Sequence, residues 1–142
     1  HTYTGNALGC AAAIASLDLF EENRILEAMP EKIRLIADYF ERFRELPFVG
    51  DARQCGMVGG IELVADKQTK QRFPHRHKTA AKVCEAMRPK GVMMRPLGDV
   101  IVFMPAVAMD IETLTTLLET IGDTLKNDLP RIATEGTENS EK

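Results

Sequence analysis

Two stretches of this sequence place side chains where they could bind an anion. Thr2 stands in H-T-Y-T-G-N, and Gly5-Asn6 leads straight into a helical run. A hydroxyl beside the first turn of a helix, where backbone N–H groups lack partners and the helix dipole is positive, can hold a phosphate. Every helix start shares that physics, so a plain threonine turn and N-cap fits the same residues. Arg95 closes the apolar run 92–95 and is followed by Pro96-Leu97-Gly98. From such a position a planar guanidinium can enter a cleft and take a carboxylate through two parallel hydrogen bonds. It can equally leave the sheet for solvent or pair with a nearby Asp or Glu, because charged residues are rarely buried alone.

The other reactive residue types lack a supporting pattern. Gly59-Gly60 in M-V-G-G-I-E-L-V lets backbone approach a ligand or, more simply, another packed element. His75 and His77 flank Arg76 in a polar stretch, a solvated arrangement rather than a metal pair. Cys10, Cys55 and Cys84 are odd in number and widely spaced, with no C-x-x-C. That gives neither a disulfide framework nor a zinc site and is expected of a reducing, cytoplasmic compartment. Met93, Met94 and Met104 read as core filling. No Ser-His-Asp set or carboxylate pair can be assembled. With 18 Lys and Arg against 21 Asp and Glu, the net charge of −3 offers no global field for nucleic acid. No apolar run approaches the roughly 18 residues needed to cross a bilayer.

Hydrophobic periodicity indicates the elements that position these residues. Residues 6–22 are alanine-rich with helical spacing, and 24–44 carry an apolar stripe from Ile25 to Phe43 that Pro30 could interrupt. Short strands are predicted over 51–54 and 57–64, a surface loop over 65–77 and a helix over 79–88. Two more strands, 92–95 and 100–104, flank a turn at 96–99. Asp110 is placed as N-cap of a last helix to Asn127, whose buried stripe runs through Leu114, Leu118, Ile121 and Leu125. The fold class is α/β, a small mixed, partly antiparallel sheet covered by helices. Residues 130–142 have little to bury and are expected to form a mobile tail. A start at His1 without an initiator methionine, so close to a helix, is expected of a piece of a longer chain.

Three motifs in register carry a resemblance: H-T-Y-T-G-N with A-L-G-C-A-A-A, then G-M-V-G-G-I-E-L-V, then R-P-L-G-D-V-I-V-F-M-P. Together they resemble the C-terminal part of class III (fold type I) pyridoxal-phosphate aminotransferases, over nearly the whole chain to about Asn127. Within that class, R-P-L-G and the following M-P are similar to the branch that converts 8-amino-7-oxononanoate to 7,8-diaminononanoate in biotin synthesis. The amino donor of that branch is S-adenosylmethionine or lysine. The resemblance implies that Thr2 binds the phosphate of pyridoxal 5′-phosphate across a homodimer interface, with the backbone of His1 beside it. It implies that Arg95 receives the substrate carboxylate. It also implies an interdomain or dimer-interface helix over 1–22 and a small α/β domain over 23–129.

By the same resemblance, the Schiff-base lysine, the aspartate facing the pyridine nitrogen, the stacking aromatic and the glycine-rich phosphate loop lie upstream of His1. No lysine here stands in a matching motif, and Lys67, Lys70 and Lys78 lie in or beside a polar loop where nothing would lower an amine pKa. The chain alone is therefore expected not to transaminate. It departs from the family at Ala7, where proline is usual, and at Val102, where an aromatic residue is frequent. Proline and alanine both suit a helix N-terminus; the second change bears on the shape of the substrate pocket. Two other readings fit the sequence: a class III enzyme for acetylornithine, ornithine or ω-amino acids, and a free-standing α/β interaction module.

Overall fold

Asn6 starts the first helix. In the computed structural model, which describes the backbone of residues 4–138 and side chains as far as residue 134, its Oδ1 accepts from the amides of Leu8 (3.0 Å) and Gly9 (3.1 Å). Helix α1 (Ala7–Glu22) follows, with no buried residue. Leu8, Ile14, Leu17 and Leu19 all stand more than half exposed along it. Arg24 turns the chain through a left-handed conformation into α2 (Ile25–Glu45). Pro30 lies inside α2 without ending it; Ile36, Phe40 and Phe43 anchor the helix on the core, and that packing outweighs one missing backbone hydrogen bond.

Strands β1 (Val49–Cys55) and β2 (Val58–Leu63) form a hairpin, and β3 (Arg95–Leu97) and β4 (Val100–Phe103) form another. The sheet order is β1-β2-β4-β3, and each neighbouring pair is antiparallel. The α/β class holds, but the sheet is antiparallel throughout rather than mixed. Helix α3 (Thr79–Met87) makes β2 and β3 run the same way, yet β4 inserts between them, so no parallel ladder forms.

The second hairpin differs from expectation in register. Residues 92–94 stay outside the sheet, and Arg95 opens β3 instead of closing a strand. The turn narrows to Gly98-Asp99, with Gly98 at φ +60°, a conformation in which glycine carries no Cβ penalty. Pro96 is tolerated because β3 is an edge strand.

Helices α4 (Ile111–Asn127) and α5 (Leu129–Glu138) complete the chain. Asp110 caps α4, its Oδ1 accepting from the Thr113 amide at 2.7 Å. The segment expected to be a mobile tail from residue 130 is helical as far as Glu138, and Leu129 and Ala133 are buried with Ile132 packed beside them. Pro130 falls in the first turn, where its missing N–H leaves no helical bond unmade.

Side chains alternate across the sheet. Ala52, Ile61, Ile101 and Phe103 face the core with Phe40, Leu114, Leu118 and Ile121 from the helices. Gly59 also lies on this side: a Cβ there would stand 2.5 Å from Phe40 Cε1 and 2.9 Å from the Arg53 carbonyl. This glycine therefore serves close packing, not a ligand. On the opposite face, Arg53, Gly60, Val102 and Arg95 form one row of direct cross-strand partners.

Candidate functional site

The two arginines at the ends of that row have opposite surroundings. Arg53 is fixed by Asp51 (3.3 Å) and Glu62 (3.2 Å), which raise its pKa, Asp51 contributing most through its hydrogen bond. Arg95 is exposed and, among the described residues, has no hydrogen-bond or ion-pair partner. Strand spacing of about 4.8 Å puts the two backbones roughly 14 Å apart, out of reach of the acids that hold Arg53. Arg95 instead lines a cleft of about 700 Å³ at the edge of the sheet. Met93, Met94, Met104, Pro105 and Leu117 line it too.

Two of the three methionines correct the sequence reading, while Met94 is half-buried and packs against the core as expected. Met93 and Met104 are 85% and 69% exposed, so they form cleft wall rather than core. Flexible, polarisable thioethers suit a surface that must fit an aliphatic chain. The signal was present in sequence, as methionines on both sides of Arg95-Pro96, but an apolar run in sequence does not distinguish a buried strand from an open wall.

Lys90 closes another side of the cleft. Its Nζ donates to Asp123 Oδ2 (2.7 Å), Asp128 Oδ2 (2.9 Å) and Thr124 Oγ1 (3.0 Å). These bonds, to Asp123 first and Asp128 second, hold the ammonium above its ordinary pKa, while Lys90 and then Asn127 hold Asp123 below its own. Elsewhere, Lys67 Nζ donates to the carbonyls of Arg44 and Leu46, and Lys70 Nζ to that of Gly50. Lys32, 5% exposed, donates to the Val107 carbonyl at 2.8 Å.

The remaining candidates do not join this cleft. His1 and Thr2 lie outside the described residues. At the helix start beside them, the Leu8 and Gly9 amides are already taken by Asn6, so the N-cap accounts for those donors. His75 stands exposed on a single 3₁₀ turn, and no group of His, Cys, Asp and Glu among the described residues could hold a metal. Burial pushes the Cys84 thiol up to about 11, an inert thiol. No described helix is long and apolar enough to cross a membrane.

The family model for class III aminotransferases, "Aminotransferase class-III", matches residues 1–125. The chain belongs to the class III aminotransferases. Among curated relatives, the adenosylmethionine-8-amino-7-oxononanoate aminotransferase of Geobacter sulfurreducens is 47% identical over 84% of this chain and 26% of its own length. The enzyme of the same name from Aquifex aeolicus is 45% identical over 85% of this chain and 27% of its own. The crystal structure of the Methanocaldococcus jannaschii enzyme of that name superposes with a TM-score of 0.83 at 38% identity, covering 88% of this chain and 28% of that one. The chain thus spans about a quarter of the length of the relatives it matches.

Class III aminotransferases work with pyridoxal 5′-phosphate, whose covalent attachment needs an uncharged lysine amine. Four of the described lysines are committed to other partners. Lys90 is held charged, and Lys32, Lys67 and Lys70 donate to backbone carbonyls. In this aminotransferase segment Lys90 has a structural effect with a definite pH dependence. Asp123, depressed in the fold, contributes stability above the ordinary carboxyl value of 3.8 that is lost as pH falls through its folded value. Lys90, raised, contributes below the ordinary 10.5 and loses that contribution as pH rises through its folded value. Lys90→Met is therefore expected to lower Tm by a few degrees at neutral pH. The gap from wild type should close at both pH extremes, as read by thermal melts across pH.

Proposed function

We propose that this chain is the carboxylate-binding part of an aminotransferase that converts 8-amino-7-oxononanoate to 7,8-diaminononanoate, a step of biotin synthesis. The observation that carries this reading is Arg95, without an ion-pair partner among the described residues, at the side of an open cleft walled by methionines. An oxononanoate substrate has the matching shape: a carboxylate, a long aliphatic chain and reactive nitrogen and carbonyl groups at the far end. Arg95 grips the carboxylate through two parallel hydrogen bonds. Met93, Met94 and Met104 accompany the chain. Holding one end fixes where the other end lies, so the contribution of this segment is orientation. The names of the relatives support the same substrate and S-adenosylmethionine as donor, with lysine as the other donor the family resemblance allows.

The pyridoxal 5′-phosphate needed for amino transfer would be held in the longer protein, with Thr2 and the backbone of His1 contacting its phosphate across a homodimer interface. The exposed apolar residues of α1 support packing of that helix on a larger domain or a partner subunit. Three unpaired cysteines and the absence of a long apolar helix among the described residues support a cytoplasmic setting. The test is turnover by the full-length protein, with S-adenosylmethionine or lysine as donor and diaminononanoate followed by mass spectrometry. Formation of that product is expected. Turnover of acetylornithine, ornithine or an ω-amino acid in its place would overturn the assignment.

A further inference from the structure

Lys32 is a buried ammonium with no ion-pair partner among the described residues. Among the described residues its one acceptor is the Val107 carbonyl, 75 positions away in sequence and 2.8 Å from Nζ. Such burial is costly, and a methionine or leucine would fill the same space of the core without a charge to desolvate. The geometry therefore asks what the charge holds. Val107 lies in the irregular segment 104–110 between β4 and α4, whose Met104, Pro105, Ala106 and Met109 line the cleft beside Arg95. Segments of this kind have no ladder to satisfy their carbonyls. At one end the Asp110 cap fixes this one to α4, and the Met109 amide closes a tight turn on the Ala106 carbonyl at 3.0 Å. Among the described residues, the Val107 carbonyl would be left without a partner if Lys32 did not reach it from α2. A charge-assisted bond is about twice as strong as a neutral one, and it joins this wall of the cleft to the rigid body of the domain.

We propose that Lys32 is a positioning residue that fixes the 104–110 wall of the cleft and thereby sets the fit of the aliphatic chain whose carboxylate Arg95 holds. The proposal rests on the reading of this cleft as the oxononanoate site. Lys32 does not line the cleft; it acts through the Val107 carbonyl.

The test uses Lys32→Met in the full-length holoenzyme, beside Arg95→Ala. With Lys32→Met, KM for 8-amino-7-oxononanoate is expected to rise about tenfold, while kcat and the KM for the amino donor stay within twofold. A loss of that size corresponds to one displaced contact surface rather than a lost charge pair. Hydrogen exchange of the 106–109 amides should accelerate, with the rest of the domain unchanged; a general loosening would accelerate exchange in α2, α4 and the sheet together. Lys32→Arg, which keeps a charged donor, should restore most of the lost KM. Unchanged KM and unchanged exchange at 106–109 overturn the proposal. If Lys32→Met does not accumulate, Lys32→Gln, whose donor is shorter, is measured in the same two ways, and wild-type values in both overturn it equally. If Arg95→Ala leaves KM unchanged, the substrate assignment of the cleft falls. Exchange at 106–109 then still reports whether Lys32 holds the wall.

Discussion

Arg95→Ala in the full-length enzyme is expected to raise KM for 8-amino-7-oxononanoate about a hundredfold while leaving the half-reaction with the amino donor near wild type. The magnitude follows from the bonds lost. Hydrogen bonds to charged groups contribute about 1.5–3 kcal/mol each, and a bidentate pair less the water that replaces it leaves about 2.7 kcal/mol, a factor of about 100. The carboxylate lies at the far end of a long chain from the reacting atoms, so its grip is made equally in ground and transition states. Its loss should appear in KM more than in kcat. Arg95→Lys should recover only part of the loss, because a point charge cannot form two parallel bonds. Arg53→Ala is the matched control: it lies in the same cross-strand row but is ion-paired at the other edge, and the same KM should move less than twofold. Steady-state kinetics with each substrate varied in turn decide the matter; an unchanged KM in Arg95→Ala would sink the proposed role.

The contrast between the two arginines shows what the sequence made visible and what it hid. Arg95 was found because a proline and a glycine follow it, and local turn chemistry is written locally. Asn6 and Asp110 marked the starts of α1 and α4 for the same reason, and both side chains accept from the amides expected of caps. That Arg95 shares a row with Arg53 and yet lacks its acids depends on the order β1-β2-β4-β3, a nonlocal pairing that no short window contains. The strand expected over 92–95 failed similarly: its apolar run suggests pairing, but Pro96 and the Gly98 turn fix the hairpin three residues later. Helix α5 is poorly marked in the sequence because it buries only Leu129 and Ala133, with Ile132 packed beside them, and a proline stands in its first turn. Lys32 could not have been found from composition or period, since it lies among the charged residues of α2 and only the fold brings Val107 to it.

The largest loss of stability is expected from Phe40→Ala. The ring is 1% exposed and meets Phe103 edge-on at 5.4 Å and Phe43 at 5.7 Å between centroids. Truncating a buried phenylalanine costs about 3–5 kcal/mol, a large share of the 5–15 kcal/mol typical of a folded domain. Gly59→Ala approaches the same contact from the other side. Its Cβ would meet Phe40 Cε1 at 2.5 Å and the Arg53 carbonyl at 2.9 Å, and overpacking of this kind costs about 1–3 kcal/mol. Because part of the clash is with a ring that Phe40→Ala removes, the double variant should lose less than the sum of the two single losses. The carbonyl contact stays, so the relief should be partial. Urea unfolding of the full-length protein and the variants, followed by circular dichroism, measures the coupling; strict additivity would show that the ring and the glycine do not share this space. Phe103, which the ring supports, also lines the cleft, and the next residue is Met104. Loosening at Phe40 should therefore reach the methionine wall, raising KM together with a fall in stability. Arg95→Ala should raise KM with stability unchanged, so the two variants separate the support of the cleft from its chemistry.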